Sequence, residues 1–369
     1  MKTIAFHLNN LERGGAERVV VNLSNRLVKD GYRVYIATEY VGRHEYEHDP
    51  AIERVHVGLR EEDEKKGRIA KYLLRIRYLK EFLTEVRPDI LVTFSHKADY
   101  RALMAAKGTR VPVAVAIRTN PAIFYDHFID RLQLRHLFPR ARGIVYQTKG
   151  QKEFFDRYMH CPDTIILNPV DPKYYAQGEA PERKKRIVHH ARLVYFKNQA
   201  MLIRAFLRMQ ERHPDYVLHI YGDDSGDGTK EKLEALIRER HAEESVFLMG
   251  GDVDFETVIP EGAVYAFPSD WEGMPNALLE AMAMGMPVVA TDCPAGGPRT
   301  VITHEKNGLL IPVGDEDALT GALTRLVEDR ALAERLGMEA RKIREIADPD
   351  VIYLQWVDFL KKICSQSGA

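Results

Sequence analysis

The chain has 369 residues, 45% of them hydrophobic and 29% charged, and 53 basic against 54 acidic side chains leave a formal net charge of −1. That length exceeds the roughly 250–300 residues at which one hydrophobic core stops growing, so two domains are expected. The composition excludes a disordered chain, and the balanced charge excludes a protein that wraps nucleic acid with a global basic surface; any anion site must be local.

In chain order, residues 3–8 (Thr-Ile-Ala-Phe-His-Leu) read as a first strand stopped by Asn9-Asn10, too short for a signal-peptide core with a cleavage site. Further strands are expected at 33–38, 90–94, 113–117 and 143–146, with helices at 16–29, 69–86 and 98–107. An apolar run then ends at Asn168-Pro169-Val170-Asp171-Pro172, where two prolines place the interdomain hinge. The charged segment 176–185, with Gly178 and Pro181, reads as an exposed entry to the second domain. Second-half strands are expected at 187–190, 217–221, 246–249, 264–267 and 288–290. Strands alternating with amphipathic stretches build parallel sheets, which makes the fold class α/β. Around Ile352–Ile363 apolar residues recur at helical spacing, with Trp356 and Phe359 as anchors.

The segment from Phe267 to Ala290 parses as strand, loop, helix and strand. Gly273 permits an unusual backbone conformation, and Pro275 near the first helical position pre-shapes a helix start. A helix N-terminus there, with free N–H groups and a favourable dipole, is a natural seat for phosphate. Glu280, in the second turn, has a carboxylate suited to a ribose diol; Glu272, on the loop, can reach whatever the phosphate carries. A solvated pair of helix-ordering acids would explain the same letters, but Glu280 lies among Leu278, Leu279, Ala281 and Met282, where an idle carboxylate is costly. Positive charge comes from Arg192 and Lys197 on the loop after the second domain's first strand. In open parallel sheets ligands collect at the carboxyl ends of strands, so the two loops can face one crevice.

The Arg-x4-Lys loop, followed by Glu272-Gly273-x-Pro275 and Glu280, resembles glycosyltransferase family four, whose members are retaining, metal-independent GT-B enzymes. Gly14-Gly15-Ala16-Glu17-Arg18 and Asn168-Pro169-Val170-Asp171 extend the resemblance over nearly the whole chain. It implies two Rossmann-like parallel-sheet domains facing across a cleft. An acceptor-binding domain would span 1–168, joined by a C-terminal helix from about 350 to 369 that crosses back to it, and a donor-binding domain 169–349. By the same resemblance, Arg192 and Lys197 bind the donor diphosphate, Glu280 the ribose and Glu272 the sugar. Arg192, Lys197 and Glu272 would thus carry the catalysis, while Gly273, Met274, Pro275 and Asn276 complete the donor site. Gly14 and Gly15 approach the donor from the first domain, and Gly250 borders the base. Where many members carry a histidine, this chain has Arg118, in Arg118-Thr119-Asn120; Arg118, Asn120 and His96 are therefore acceptor-side candidates without an assigned catalytic histidine.

The expected activity is retaining transfer of a hexose or N-acetylhexosamine from a UDP-sugar to a glycan or lipid-linked saccharide, with no cofactor and no metal. Asp252-Val253-Asp254 is two carboxylates, too few to fix a metal, and Asp223–Asp227 lacks the spacing of a calcium loop. The basic, helically periodic stretch from Lys65 to Lys80 suits an anionic membrane surface, with Ile69, Leu73, Ile76, Leu79 and Leu83 on one face; a helix covering the sheet with its cations in solvent is the competing explanation. No run reaches the ~18 apolar residues of a membrane span. Cys161, Cys293 and Cys364 lack metal or redox-pair spacing, and a cytoplasmic protein, peripheral on the inner face of the cell membrane, is expected. Two rivals remain: a catalytically silent sugar-nucleotide binder or membrane scaffold, and an NAD-dependent dehydrogenase using Glu39 on ribose. The second lacks Gly-x-Gly-x-x-Gly and leaves Glu272 and Glu280 without a role.

Overall fold

Nearly unbroken burial along the central strands requires a sheet covered on both faces, and both halves of the chain meet that requirement with parallel strands. The computed structural model describes residues 1–12, 14–175 and 182–366; Arg13 of the glycine loop, positions 176–181 of the expected domain entry and the last three residues lie outside them. The first sheet contains β1 (Thr3–Leu8), β2 (Arg33–Thr38), β3 (Glu53–His56), β4 (Ile90–Thr93), β5 (Val113–Ala116), β6 (Gly143–Tyr146) and β7 (Asp163–Ile165), in the order β3-β2-β1-β4-β5-β6-β7. The second contains β8 (Lys184–His190), β9 (Val217–Tyr221), β10 (Val246–Gly250), β11 (Gly262–Phe267), β12 (Val288–Thr291) and β13 (Leu309–Ile311), in the order β10-β9-β8-β11-β12-β13. Two compact units result, Met1–Asn168 with the chain from Ile352 onward, and Pro169–Val351.

Each sheet reverses its order once, between β1 and β4 in the first unit and between β8 and β11 in the second. At such a point the connections run to opposite faces and leave a crevice outside the strand ends. Three strands were not expected from the sequence: β3, β7 and β13 are short and end their sheets, although Leu309-Leu310-Ile311 of β13 is an apolar run between Gly308 and Pro312. The helix expected at 69–86 spans Arg68–Val86, but its predicted stripe divides. Leu79 and Leu83 are buried in the first unit's core, whereas Ile69 and Leu73 are exposed.

Helix Pro349–Gln366 places Ile352, Trp356, Phe359, Leu360 and Ile363 in the core beneath β1 and β4. The Trp356 ring is fully buried and stacks on Phe94 with centroids 5.5 Å apart. Trp356→Ala should cost ~3–5 kcal/mol, the usual range for a large aromatic deleted from a core. Urea denaturation of the full chain checks this, and a loss below about 1 kcal/mol would show that the helix is not an integral part of that core.

Candidate functional site

In the second unit, β8 and β11 flank the switch point, and the loops that leave their carboxyl ends carry the predicted residues. After β8, Gly222 makes the loop fit: its φ is +147°, and an added Cβ would lie 1.9 Å from the Ala191 carbonyl oxygen. Its N–H donates to the Gly250 carbonyl at 2.8 Å, and Leu193 N–H donates to the Asp223 carbonyl at 2.8 Å, joining the loops after β8, β9 and β10. The chain then makes a 3-10 turn, Tyr195–Lys197, and enters helix Gln199–Gln210. Asn198 caps that helix from a left-handed conformation (φ +51°). Asn and Gly adopt it most readily, and the Asn198 amide also donates to Asp270 Oδ1 at 2.7 Å.

Two further contacts tie this turn to the loop after β11. Asp270 N–H donates to the Phe196 carbonyl at 2.8 Å, and the Phe196 and Trp271 rings stack at 3.9 Å and 19°. Lys197 and Glu272, 75 positions apart, are thereby brought into a mostly buried ion pair between Nζ and Oε1. The Lys197 ammonium also lies 5.4 Å from the Phe267 ring centroid and 5.5 Å from that of Phe196. Arg192 does not join this pair: it is exposed and has no ion-pair partner among the described residues, while its carbonyl accepts from the Gln199 amide at 2.9 Å.

Helix Asn276–Ala283 begins one residue after the predicted position. Pro275 is its N-cap, and its side chain makes no capping hydrogen bond. Gly273, which permits an unusual backbone conformation, is not among the glycines with positive φ. The steric demand falls instead on Gly297, where an added Cβ would meet the Gly273 carbonyl oxygen at 1.9 Å. Sequence reasoning passed over Gly296-Gly297-Pro298 after β12, although two glycines following a strand were signal enough. Met274 and Pro275 are buried and Asn276 half-buried. Gly250 has φ +73°, with open space where a side chain would stand.

Glu272 and Glu280 are both buried. Burial pushes the Tyr265 phenol of β11 well up, and the charge of Glu280, then of Glu272, adds to it. Tyr265 donates to the His190 carbonyl at 3.3 Å. Beside them burial lifts the Cys293 thiol to about 12, with Glu272 adding to the shift. His189 is fully buried, its Nδ1 2.9 Å from the Ala266 carbonyl; burial lowers it to about 4, leaving a neutral imidazole. Among the described residues no group of three His, Cys, Asp or Glu side chains could hold a metal ion.

The first unit holds the other candidates. Gly14 is the extended N-cap of helix Gly15–Lys29, and the Glu17 carboxylate stands over it, 2.3 Å from an added Cβ. Arg118 donates from Nη1 to Asn168 Oδ1 at 3.1 Å, and its guanidinium lies 4.7 Å from the Phe94 ring and 5.4 Å from the Trp356 ring. Burial lowers it to about 9. The Asn120 side chain accepts from Ala122 N–H at 3.1 Å and caps the helical turn Pro121–Phe124. His96 Nε2 lies 3.1 Å from Asp130 Oδ1; burial lowers its pKa, and Asp130 opposes the shift. It lines a cavity of 580 Å³ with Tyr72, Tyr100, Phe124 and Asp130. Glu39, the ribose ligand a dehydrogenase would need, is buried against Arg101 and Arg75.

Residues 171–343 match the family model for glycosyl transferases group 1, and residues 13–174 match that for glycosyltransferase family 4. The chain is a family-four glycosyltransferase. This glycosyltransferase is 27% identical over 358 residues to the N-acetylgalactosamine-N,N'-diacetylbacillosaminyl-diphospho-undecaprenol 4-alpha-N-acetylgalactosaminyltransferase of Campylobacter jejuni, covering 92% of this chain and 94% of that one. It is 23% identical to the amylovoran biosynthesis glycosyltransferase AmsD of Erwinia amylovora, covering 94% and 96%. Among solved structures, Anabaena HepE in complex with UDP superposes with a TM-score of 0.83 at 18% identity, covering 98% of this chain and all (100%) of that one. Sucrose-phosphate synthase of Thermosynechococcus elongatus gives 0.82 at 17% identity, covering 99% and 100%. These likenesses establish the GT-B fold.

Proposed function

We propose that this glycosyltransferase moves a hexose or N-acetylhexosamine from a UDP-sugar, with retention of configuration, to a lipid-diphosphate-linked saccharide or growing surface glycan. The observation that carries the reading is the Lys197–Glu272 pair at the β8/β11 switch point, with Glu272 on the loop that leads into helix Asn276–Ala283. A diphosphate engages Lys197, Arg192 and that helix start; Glu280 takes the ribose, Glu272 the sugar, and Gly250 borders the base. The name of the Campylobacter relative supports the acceptor class, and the bound ligand in the Anabaena structure supports uridine diphosphate.

In retaining transfer the acceptor hydroxyl attacks from the face the diphosphate leaves, and a leaving-group oxygen takes its proton. Catalysis then depends on positioning and on stabilising charge that develops on the diphosphate. No described helix is long and apolar enough to cross a membrane; a cytoplasmic enzyme meeting its acceptor at the membrane surface is part of the same proposal.

Thermal unfolding with UDP, GDP, ADP and NAD, on wild type and Glu280→Ala, tests the donor site. At ~100 times Kd a nucleotide adds ~2.7 kcal/mol, and UDP is expected to stabilise only the wild type. Stabilisation by NAD alone would overturn the reading, and turnover of a UDP-sugar distinguishes the enzyme from a silent binder.

A further inference from the structure

Outside the donor loops, the strongest feature is the 580 Å³ cavity of the first unit that His96 lines. Its volume lies within the roughly 300–1,000 Å³ of small-molecule sites. Helix His96–Ala105 starts just after β4, and its Arg101, which also lines the cavity, pairs with Glu39 just past β2 and donates from Nη2 to Asn9 Oδ1, just past β1, at 3.1 Å. The cavity therefore borders the carboxyl ends of β1, β2 and β4, the side of an open parallel sheet where ligands collect.

His96 is held there from several sides. Its Nε2 donates to Asp130 Oδ1 at 3.1 Å, and its ring stands edge-on to those of Tyr125 (centroids 4.3 Å apart, 79°) and Tyr100 (5.2 Å, 72°). Tyr125 is buried and donates to Asp99 Oδ2 at 2.8 Å, while Asp99 Oδ1 accepts from the Thr93 hydroxyl of β4 at 2.9 Å. The Tyr100 hydroxyl donates to the Asp130 carbonyl at 3.4 Å and fastens helix Phe128–Leu137 to helix His96–Ala105. A shell of this kind keeps one rotamer in place. A carboxylate only accepts, so the proton of the neutral imidazole sits on Nε2 and Nδ1 carries a lone pair. Nδ1 has no hydrogen-bond partner among the described residues, and burial, by lowering the pKa of His96, keeps the ring neutral at pH 7.

The walls define what fits. Tyr72, Tyr100 and Phe124 contribute aromatic rings, and Gln133 and the His96–Asp130 pair contribute polar atoms. A pyranose has the matching surface, with C–H groups on one face for a ring and hydroxyls at its edge for imidazole and carboxylate. Charge in the cavity is already matched, Arg101 by Glu39 and Asp130 by His96, and Lys97 is exposed and screened by water. A neutral sugar therefore suits the cavity better than an acidic one. We propose that it is a subsite for one neutral sugar unit of the acceptor, with one hydroxyl donating to His96 Nδ1 and a neighbouring one to the Asp130 carboxylate. The subsite rests on the transferase reading only for calling that sugar the acceptor. His96 is then a positioning and specificity residue; the proton of the reacting hydroxyl still goes to the leaving group.

Saturation-transfer NMR on the full chain tests this, with the methyl α-glycosides of glucose, galactose, N-acetylglucosamine and N-acetylgalactosamine as the ligands. At least one should bind wild type, and His96→Ala should weaken it about tenfold, the loss of one well-placed hydrogen bond. His96→Asn, which keeps an acceptor atom at the δ position, should recover part of that loss. Tyr72→Leu, which removes a ring from a different helix, should weaken binding comparably, and it decides in the same way should a circular-dichroism melt show His96→Ala unfolded. No binding of any of the four to wild type, undiminished binding to His96→Ala, or displacement of the glycoside by UDP, which would put it in the donor site, overturns the proposal. UDP stabilisation should be equal in wild type and all three variants. Its absence from wild type, with a glycoside still bound, would count against the UDP-dependent transferase reading and leave the saccharide subsite standing.

Discussion

Lys197→Ala is expected to lower kcat and kcat/KM together, by roughly 10²–10³-fold, as loss of a donor aimed at developing charge does elsewhere. In the proposed reaction negative charge grows on the departing diphosphate, and Lys197 is the mostly buried cation at the switch point. Arg192 is exposed, so water screens its charge and Arg192→Ala should have the smaller effect. Initial-rate kinetics with a UDP-sugar decide the point: a normal kcat with only a raised KM would mean that Lys197 holds ground state and transition state equally. Glu272 loses its partner in the same variant, so a circular-dichroism melt accompanies the assay, separating lost chemistry from lost structure.

Gly297→Ala should be nearly as damaging, although one methyl is all it adds. The new Cβ would lie 1.9 Å from the Gly273 carbonyl oxygen and 2.9 Å from the Pro275 ring. Backbone must therefore move in the loop that positions Glu272 and starts helix Asn276–Ala283. A shift near 1 Å at such a site costs about 10²-fold in rate. Gly321→Ala is the control, since nothing lies within 4 Å of the side chain it adds. Steady-state kinetics on both variants should separate them, and equal activity would show that the loop after β12 does not set the donor loop.

Strands β1, β2, β6 and β9 were legible to the residue because each is an apolar run bounded by polar or turn residues. Edge strands β3 and β7 were not: Glu53 and His56 in β3 and Asp163 in β7 are exposed, so no continuous apolar run marks them. The site divides the same way. The positions of Lys197, Glu272 and Glu280 within their segments follow from local motif, but the meeting of Lys197 with Glu272 depends on Asn198 with Asp270 and Phe196 with Trp271. Those pairs lie more than 70 positions apart, and local periodicity carries no information about them. The Arg68–Val86 helix shows the converse limit: period 3.6 marked one stripe, and only packing reveals that half serves the core and half the surface.

Lys197 has an anion of its own in Glu272. If the proposed donor site is right, a diphosphate would have to compete with Glu272 for that ammonium and would gain less on arrival than from a free cation. After transfer, the same carboxylate would reclaim the cation as the nucleotide departs. Restrained substrate affinity and prompt product release would then have one origin, an internal rival that never diffuses away.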